Sequence, residues 1–418
     1  MNAVPQFCPS PRELDDVELL GHGALAPLTG FEDAGGAITL AVPGEVGDRA
    51  RQAGSLEIVD PEGVPLATVT VEDTYAAGEL TGIAGPVHPL AHAEFGAFRR
   101  LYLSPQEVAA AYPATTLTVP VTGPLTTDDV ATIRATANGA PVVLLVLVGA
   151  GTPTGLSGVG LIRATRAAAG LVPDADVVAV PLAARDDIAR DERLREQVVQ
   201  AYAPGQVLEL SGEGELPGEV AAVVEFDRPP PARQGLVVFF TGLSGSGKST
   251  LARALHDLLL EGGQRTVTSL DGDVVRRNLS AGLGFSREDR ETNIRRIGWV
   301  AAEIARHGGV ALCSPIAPFD ATRKQVREMV EAAGGAFVLV HVATPLAECE
   351  QRDRKGLYAR ARRGEIPEFT GISSPYEEPD DATVRVDTTG RSVHAALDDV
   401  LAVLYGQGWL LPGTDADD

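Results

Sequence analysis

The chain has 418 residues, and 35 lysine and arginine side chains against 57 aspartate and glutamate side chains give it a formal net charge of −22. A protein this acidic is not expected to grip a nucleic-acid backbone by bulk charge, so nucleic acid is excluded as a partner of that kind. The length predicts two or three domains, and an apolar fraction of 44% is enough to form ordinary buried cores. A small anionic ligand stays compatible with this charge, because it needs only a local basic pocket.

The number of cysteines and the length of the apolar runs exclude further classes of protein. Cys8, Cys313 and Cys349 make neither a disulfide framework nor a CxxC metal site. The longest apolar run, residues 141–149, is far shorter than the roughly 20 residues of a membrane span and predicts a buried strand. Residues 1–11 have neither the basic start nor the apolar core of a signal peptide. We expect a protein of the reducing cytoplasm with no membrane partner.

The first half of the chain predicts two small domains and a linker. Residues 1–115 predict a β-rich domain, because short alternating stretches such as 67–71 are separated by turn formers. Residues 116–226 predict a compact α/β domain, in which apolar strands alternate with helical stretches such as 187–202. Three consecutive prolines in residues 227–235 cannot continue a helix or a central strand, so this segment predicts a stiff linker.

The second half, residues 236–412, alternates strands and amphipathic helices. This pattern predicts an α/β fold with right-handed crossovers and a mostly parallel sheet flanked by helices. The predicted strands are 236–241, 266–270, 309–313 and 336–342, and the predicted helices are 248–261, 287–306, 320–333 and 393–405.

Residues 242–249 follow the first of these strands and match the pattern G-x-x-x-x-G-K-[ST] in full. Glycines let successive N–H groups point at phosphate oxygens, and the helix that follows favours an anion at its N-terminus. Lys248 is predicted to reach the β- and γ-phosphates of ATP, and Ser249 to hold Mg²⁺. A glycine-rich turn with a chance lysine is the alternative, but the flanking strand and helix argue against it. The other predicted ATP contacts of this P-loop are Gly242, Leu243, Ser244, Gly245, Ser246, Gly247 and Thr250.

Two carboxylates, Asp271 and Asp273, follow the second predicted strand. The carboxyl ends of parallel strands face the crevice where ligands bind, so either group could accept a proton from an attacking hydroxyl or orient Mg²⁺ through water. An ordinary helix N-cap is the alternative, and one role for each residue is also open.

A basic cluster comes next in this acidic chain. Arginine forks suit phosphate or sulfate groups. A solvated helix face with i,i+4 pairs to Glu288 and Glu291 is the alternative. The members of the cluster are Arg276, Arg277, Arg290, Arg295 and Arg296.

Eight motifs stand in one order along this half: GLSGSGKST (242–250), LDGD (270–273), LGFS (283–286), EDRETNIRRIG (288–298), SPIAPF (314–319), CEQRD (349–353), KGLY (355–358) and EFTGISSPYE (368–377). Residues 236–405 therefore resemble adenylylsulfate (APS) kinases, which make 3′-phosphoadenylylsulfate (PAPS). The resemblance implies a P-loop NTPase-type fold for this part of the chain.

The resemblance also implies site roles at matching positions. Phe285 and Phe369 would stack on the two faces of the APS adenine. Lys355 would lie near the transferred phosphoryl group as a catalytic residue, and Arg352 would contact the adenine of ATP. The implied APS contacts are Asp273, Arg276, Phe285, Arg290, Asn293, Ile316, Lys355, Leu357 and Phe369.

Some positions depart from the family pattern. Val274 and Asn278 stand where the family often has Asn and Gly, and residues 319–323 vary a more basic stretch. These differences affect substrate contacts more than the reaction class. Residues 355–379, rich in Gly, Pro and Arg, predict either a lid over the phosphates or an ordinary surface loop.

Residues 14–31 and 60–75 resemble the opening of ATP sulfurylases. That family needs a catalytic domain with Gln-x-Arg-Asn and His-x-x-His motifs, which bind sulfate and stabilise charge on ATP. Between His92 and His256 the chain has no histidine, and Asn138 is the only asparagine there. We therefore predict that residues 116–226 are a reduced, inactive relative, retained for dimerisation, stability or channel geometry.

The predicted function is APS kinase activity: the ATP γ-phosphoryl group moves to the 3′-hydroxyl of APS, with Mg²⁺, to give PAPS in sulfate assimilation. A homodimer is expected, with a separate ATP sulfurylase as a further partner. The alternatives are a non-catalytic protein that senses PAPS or nucleotides, and a kinase for another small nucleotide. Intact Lys248, Asp271 and Asp273 favour an enzyme, because a decayed site would lose some of them.

Overall fold

Two groups of secondary-structure elements follow one another along the chain, and the boundary between them falls after Asp227. The computed structural model describes residues 4–91, 95–185 and 187–411, apart from the side chain of Asp273. The boundary coincides with the start of the predicted proline-rich linker. Among the described helices, none combines the length and the apolar character needed to cross a membrane.

The N-terminal unit opens with a seven-stranded, largely antiparallel sheet, in the order β1-β4-β5-β7-β2, with β3 and β6 also paired to β7. Its strands are β1 Gln6–Phe7, β2 Gly30–Phe31, β3 Leu40–Val42, β4 Ser55–Val59, β5 Pro65–Thr70, β6 Asp73–Ala77 and β7 Leu80–Pro89. The helices of this part are α1 Pro11–Gly21, α2 Gly44–Ala53 and α3 Pro105–Ala111.

A three-stranded parallel sheet, in the order β10-β9-β8, forms the rest of the N-terminal unit. Its strands are β8 Leu117–Val121, β9 Val142–Val148 and β10 Ala175–Pro181, and its helices are α4 Thr127–Ala137, α5 Gly158–Ala169, α6 Ile188–Tyr202 and α7 Gly218–Asp227. One buried cluster includes Leu19 and Leu40 together with Val143 and Val180. The boundary predicted near residue 115 therefore separates two sheets that share a core.

The C-terminal unit is built on a five-stranded sheet, in the order β12-β13-β11-β14-β15, in which every pairing is parallel. Its strands are β11 Leu236–Thr241, β12 Val267–Leu270, β13 Val310–Cys313, β14 Ala336–Val342 and β15 Val384–Val386. Its helices are α8 Lys248–Gly262, α9 Gly272–Asn278, α10 Arg287–Arg306, α11 Asp320–Ala332, α12 Leu346–Gln351, α13 Leu357–Arg362 and α14 Val393–Gly406. The predicted α/β class with a parallel sheet is confirmed.

The central strand β11 shows why this sheet needs helices on both faces. All six of its residues are buried. Val238 and Phe240 pack in one cluster with side chains of α8 and α14, while Val237 and Phe239 pack in the other with side chains of α10 and α11. A strand that is buried on both sides has a continuous run of apolar residues, and this run is the pattern that predicted β11.

The chain order reverses at β11, whose neighbours are β13 on one side and β14 on the other. In open parallel sheets, ligands bind in the crevice beyond the carboxyl ends of the strands at such a reversal. The predicted P-loop leaves β11 at this position. The strand β15 was missed, because three residues give no readable pattern.

Candidate active site

The P-loop runs from the end of β11 to the start of α8. Gly242, Gly245 and Gly247 have φ angles of 145°, 76° and 107°, which side-chain-bearing residues rarely adopt. A Cβ at Gly242 would also collide with the Val342 carbonyl oxygen. The glycines of the pattern are therefore required by backbone conformation and, at Gly242, by the close approach of β14.

Hydroxyl groups from three later segments hold the carbonyl groups of this loop. Tyr358 Oη donates to the Ser244 carbonyl oxygen at 2.8 Å. Thr344 Oγ1 and Thr388 Oγ1 donate to the Ser246 carbonyl oxygen at 2.9 and 3.0 Å. These bonds satisfy loop carbonyls and leave N–H groups of the loop for an anion.

Lys248 is the first residue of α8 and is only 7% exposed. Its Nζ donates to the Leu243 carbonyl oxygen at 2.7 Å, on the opposite side of the loop. Burial lowers the pKa of Lys248 to about 8, and the nearby Asp271 carboxylate acts in the opposite direction. A buried ammonium group beside a ring of amides is suited to a polyphosphate.

Asp271 lies between β12 and α9, and the choice between its catalytic role and a helix-capping role stays a prediction. Its backbone carbonyl accepts the Val275 N–H at 3.0 Å, which opens the helix. Its carboxylate accepts a hydrogen bond from Ser314 Oγ at 3.0 Å, from the segment after β13. Asp273 belongs to α9, and its side chain lies outside the described part of the chain.

Arg276 and Phe285 form a cation–π pair, with the guanidinium carbon 4.3 Å from the ring centroid. Arg276 Nη1 also donates to the Gly284 carbonyl oxygen at 3.3 Å. Burial lowers the pKa of Arg276. The ring of Phe285 is 67% exposed, so one face of this pair is open to a ligand.

Arg290 joins α10 to the segment that carries Phe369. Its Nη1 donates to the Glu368 carbonyl oxygen at 3.2 Å and to Thr370 Oγ1 at 3.1 Å. Phe369 makes an edge contact with Tyr358, with ring centroids 5.0 Å apart. Arg290 therefore positions the predicted lid segment, and the predicted two-sided stack of Phe285 and Phe369 on adenine stays a prediction.

Other members of the basic cluster divide between two uses. Arg295 pairs with Glu291 at 3.9 Å, in the i,i+4 spacing of a solvated helix face. Arg296 donates to the Leu279 carbonyl oxygen at 3.0 Å and so ties α10 to the end of α9. Asn293 is 6% exposed, and its Oδ1 accepts no hydrogen bond from a described residue.

The remaining predicted contacts lie around the loop. Arg352 donates from Nη1 to Thr388 Oγ1 at 2.7 Å and from Nη2 to the Thr388 carbonyl oxygen at 3.1 Å. The Ile316 carbonyl oxygen accepts the Gly242 N–H at 3.4 Å. Leu357 begins α13, where its N–H is bound by the Asp353 carboxylate at 2.8 Å. Lys355 lies exposed just before this helix.

Sequence reasoning missed the residues that hold the loop from outside, namely Thr344, Tyr358 and Thr388. Threonines after strands are too common to stand out, and their partners lie up to 142 residues away in the chain. Tyr358 lies within the KGLY motif, but nothing in that motif indicates its contact with Ser244. The buried Arg323 and the half-buried Tyr376 were missed because their contacts also join segments far apart in the chain.

A parallel sheet with a glycine-rich loop at its reversal point, and a buried lysine at the start of the next helix, define a P-loop nucleotide-binding domain. Residues 234–387 match the family model described as adenylylsulphate kinase. The C-terminal unit therefore belongs to the adenylylsulfate kinase family, and the predicted resemblance is confirmed. The sulfurylase-like character of the N-terminal unit stays a prediction.

Several relatives and solved structures are similar to this chain. The hexameric APS kinase from Thiobacillus denitrificans is 28% identical, with a TM-score of 0.76, over 98% of this chain and 94% of its own. The Mycobacterium tuberculosis APS kinase in complex with AMPPNP and APS is 44% identical over 42% of this chain and 99% of its own, with a TM-score of 0.40. A sulfate adenylyltransferase of Emericella nidulans is 48% identical over 191 residues, which are 46% of this chain. The chain spans 33% of the length of that relative.

Proposed function

We propose that the C-terminal unit is an APS kinase, which moves the γ-phosphoryl group of ATP to the 3′-hydroxyl of APS and releases ADP and PAPS in sulfate assimilation. The observation that carries the proposal is the buried Lys248 within a loop of positive-φ glycines, beside Asp271, in a domain of this family. Positioning and charge stabilisation account for most of the rate in phosphoryl transfer, and this loop supplies both.

Each polar group of the loop has a role in this reaction. Lys248 and the loop N–H groups stabilise negative charge on the transferring group. The 3′-hydroxyl attacks in line, and its proton passes to a carboxylate, with Asp271 and Asp273 as the two candidates. The Ser314 hydroxyl fixes the orientation of the Asp271 carboxylate. Lys355 is the second proposed cation near the transferred group.

Oxygen donors at the loop fit Mg²⁺. The exposed Ser249 hydroxyl and the Asp271 carboxylate are the hard oxygen ligands that this ion prefers, and Asp271 would act through water. When bound, Mg²⁺ offsets negative charge on the β- and γ-phosphates.

The proposed APS site lies on the side of α9, α10 and the segment after α13. The Arg276–Phe285 pair offers a cation and an aromatic face, and Phe369 offers the second face. Arg290 is proposed to act on APS through residues 368–374, because its donors are used there. Asn293, Ile316 and Leu357 complete the proposed APS contacts. Arg352, through Thr388, completes the proposed ATP site.

The test is PAPS formation by the full chain with ATP, Mg²⁺ and APS. The chain has three lysines, which offer a matched control. Lys248→Ala should lower kcat/KM by a factor of about 10³, because charge on the transferring group loses its main cation. Lys324→Ala should leave the rate unchanged, because Lys324 lies on α11 and pairs with Asp320 at 2.7 Å. Equal rates for Lys248→Ala and the parent protein would refute the proposal.

The same assay separates the alternatives. Adenosine 5′-phosphate and other small hydroxyl compounds replace APS as acceptors, with ADP release as the readout. Faster turnover of another acceptor would identify a different kinase. Tight binding of PAPS or APS without any turnover would identify a sensor.

We propose that the chain forms a homodimer and that a separate ATP sulfurylase is a further partner. The match to a hexameric kinase across 98% of the chain supports self-association. Light scattering coupled to size exclusion tests it, and a monomer at micromolar concentration would contradict it. Residues 116–226 are proposed to have no sulfurylase activity, so the full chain should form no APS from ATP and sulfate.

A further inference from the structure

The segment of residues 314–319 after β13, here called the β13 loop, touches the site at two points. Ser314 Oγ donates to the Asp271 carboxylate at 3.0 Å. The Ile316 carbonyl oxygen accepts the N–H of Gly242, the first residue of the P-loop, at 3.4 Å. A shift of the β13 loop would therefore move both the candidate base and a proposed APS contact.

A pair of hydroxyl groups holds this loop at the end of β11. Thr241 is fully buried, and its Oγ1 donates to the Ile316 carbonyl oxygen at 2.6 Å. A threonine hydroxyl has a single proton, so Tyr376 Oη, 3.0 Å from Thr241 Oγ1, must be the donor between these two groups. Burial raises the pKa of Tyr376 to about 12, which keeps its proton in place. The bonds run from Tyr376 through Thr241 to Ile316.

A buried guanidinium holds the next residue of the loop. Arg323 is 1% exposed and donates to the carbonyl oxygens of Ala317 and Glu377, each at 2.8 Å. Ala317 has a φ of 45°, an uncommon value for alanine. A conformation of this kind persists only where its surroundings fix it. Here Arg323 holds the Ala317 carbonyl oxygen, and Thr241 Oγ1 lies 3.2 Å from the same oxygen. Arg323 and Tyr376 therefore tie the β13 loop to residues 376–377.

We propose that Tyr376 and Arg323 are positioning residues of the kinase reaction, which act through the β13 loop on Asp271 and on the acceptor nucleotide. The proposal rests on the proposed function. Tyr376, through Thr241, and Arg323 hold Ile316 and Ala317, which meet the P-loop at its first residue, Gly242. The carbonyl groups further along the P-loop are held by Tyr358, Thr344 and Thr388. Loss of the bonds from Tyr376 and Arg323 should therefore affect the acceptor and the chemical step more than the binding of ATP.

The variant Tyr376→Phe removes the donor and keeps the ring. We expect kcat/KM for APS to fall about tenfold, while KM for ATP and the melting temperature stay close to those of the parent protein. Tyr405→Phe, on α14, is the matched control and should leave all parameters unchanged. The variant Arg323→Lys keeps the charge but cannot reach both carbonyl groups in the same geometry. It should lower kcat/KM for APS by more than Tyr376→Phe does, again with a smaller effect on KM for ATP.

Calorimetry with APS in the presence of ADP gives a second readout that does not need turnover. The dissociation constant of APS should rise for Tyr376→Phe and not for Tyr405→Phe. Unchanged kcat/KM and APS affinity for Tyr376→Phe would overturn the inference, as would an equal loss for ATP and APS. If the parent protein neither binds nor phosphorylates APS, the proposed function fails and the inference fails with it.

Discussion

The lowered pKa of Lys248 makes nucleotide binding depend on pH in a defined direction. Burial brings this pKa to about 8 in the free protein. A bound triphosphate would raise it again, because a negative charge beside the ammonium favours the protonated form. Binding should therefore take up protons and weaken as pH rises above 8.

The size of the effect follows from this pKa. If only the protonated form binds, the apparent dissociation constant grows by the factor 1 + 10^(pH − pKa). This factor is about 1.3 at pH 7.5 and about 11 at pH 9, so affinity should fall about eightfold between these values. At pH 8, binding should take up about half a proton.

Titration calorimetry with a nonhydrolysable ATP analogue and Mg²⁺ measures both quantities. Runs in two buffers of different ionisation enthalpy count the protons. Lys324→Ala should reproduce the parent profile, since Lys324 is exposed and pairs with Asp320 on α11. A dissociation constant that changes less than twofold between pH 7.5 and 9, with no proton uptake at pH 8, would show that Lys248 does not titrate in this range.

Two further predictions concern the loop supports and the N-terminal unit. Thr388→Val removes the hydroxyl that binds the Ser246 carbonyl oxygen and should raise KM for ATP about fivefold. Thr389→Val, one residue away and exposed, should leave this KM unchanged. Equal steady-state parameters for the two variants would contradict the role of Thr388. Burial raises the pKa of Asp15 to about 6, so the stability this carboxyl contributes is present below pH 4 and lost as pH rises through 6. Asp15→Asn should therefore raise the melting temperature of the N-terminal unit at pH 8 and not at pH 4. The corresponding gain in the free energy of unfolding at pH 8 should be at most about 3 kcal/mol. Both tryptophans lie after residue 298, so tryptophan fluorescence reports unfolding of the C-terminal unit and, together with calorimetry, distinguishes it from unfolding of the N-terminal unit. A gain in melting temperature at pH 4 as large as that at pH 8 would contradict the raised pKa of Asp15.

Structural elements that depend on residues close together in the sequence could be predicted well. The strand β14 has the predicted bounds, and so does α10, because a doubly buried strand and a long amphipathic helix leave strong periodic signals. The P-loop was predicted as a unit, since its chemistry is set by consecutive backbone groups. The short β15 and the helices α12 and α13 were not, because segments of three to six residues carry too little pattern.

The class of this protein could be predicted from the residues alone, because a P-loop, its lysine and the ordered motifs around it are local features whose chemistry depends on local geometry. The groups that support these features became apparent in the folded structure. The hydroxyls of Tyr358 and Thr388 reach the P-loop from 114 and 142 residues away, and Ser314 reaches Asp271 across 43 residues. Contacts of this kind depend on the order of strands in the sheet, and nothing in the spacing of the residues records that order before the chain folds.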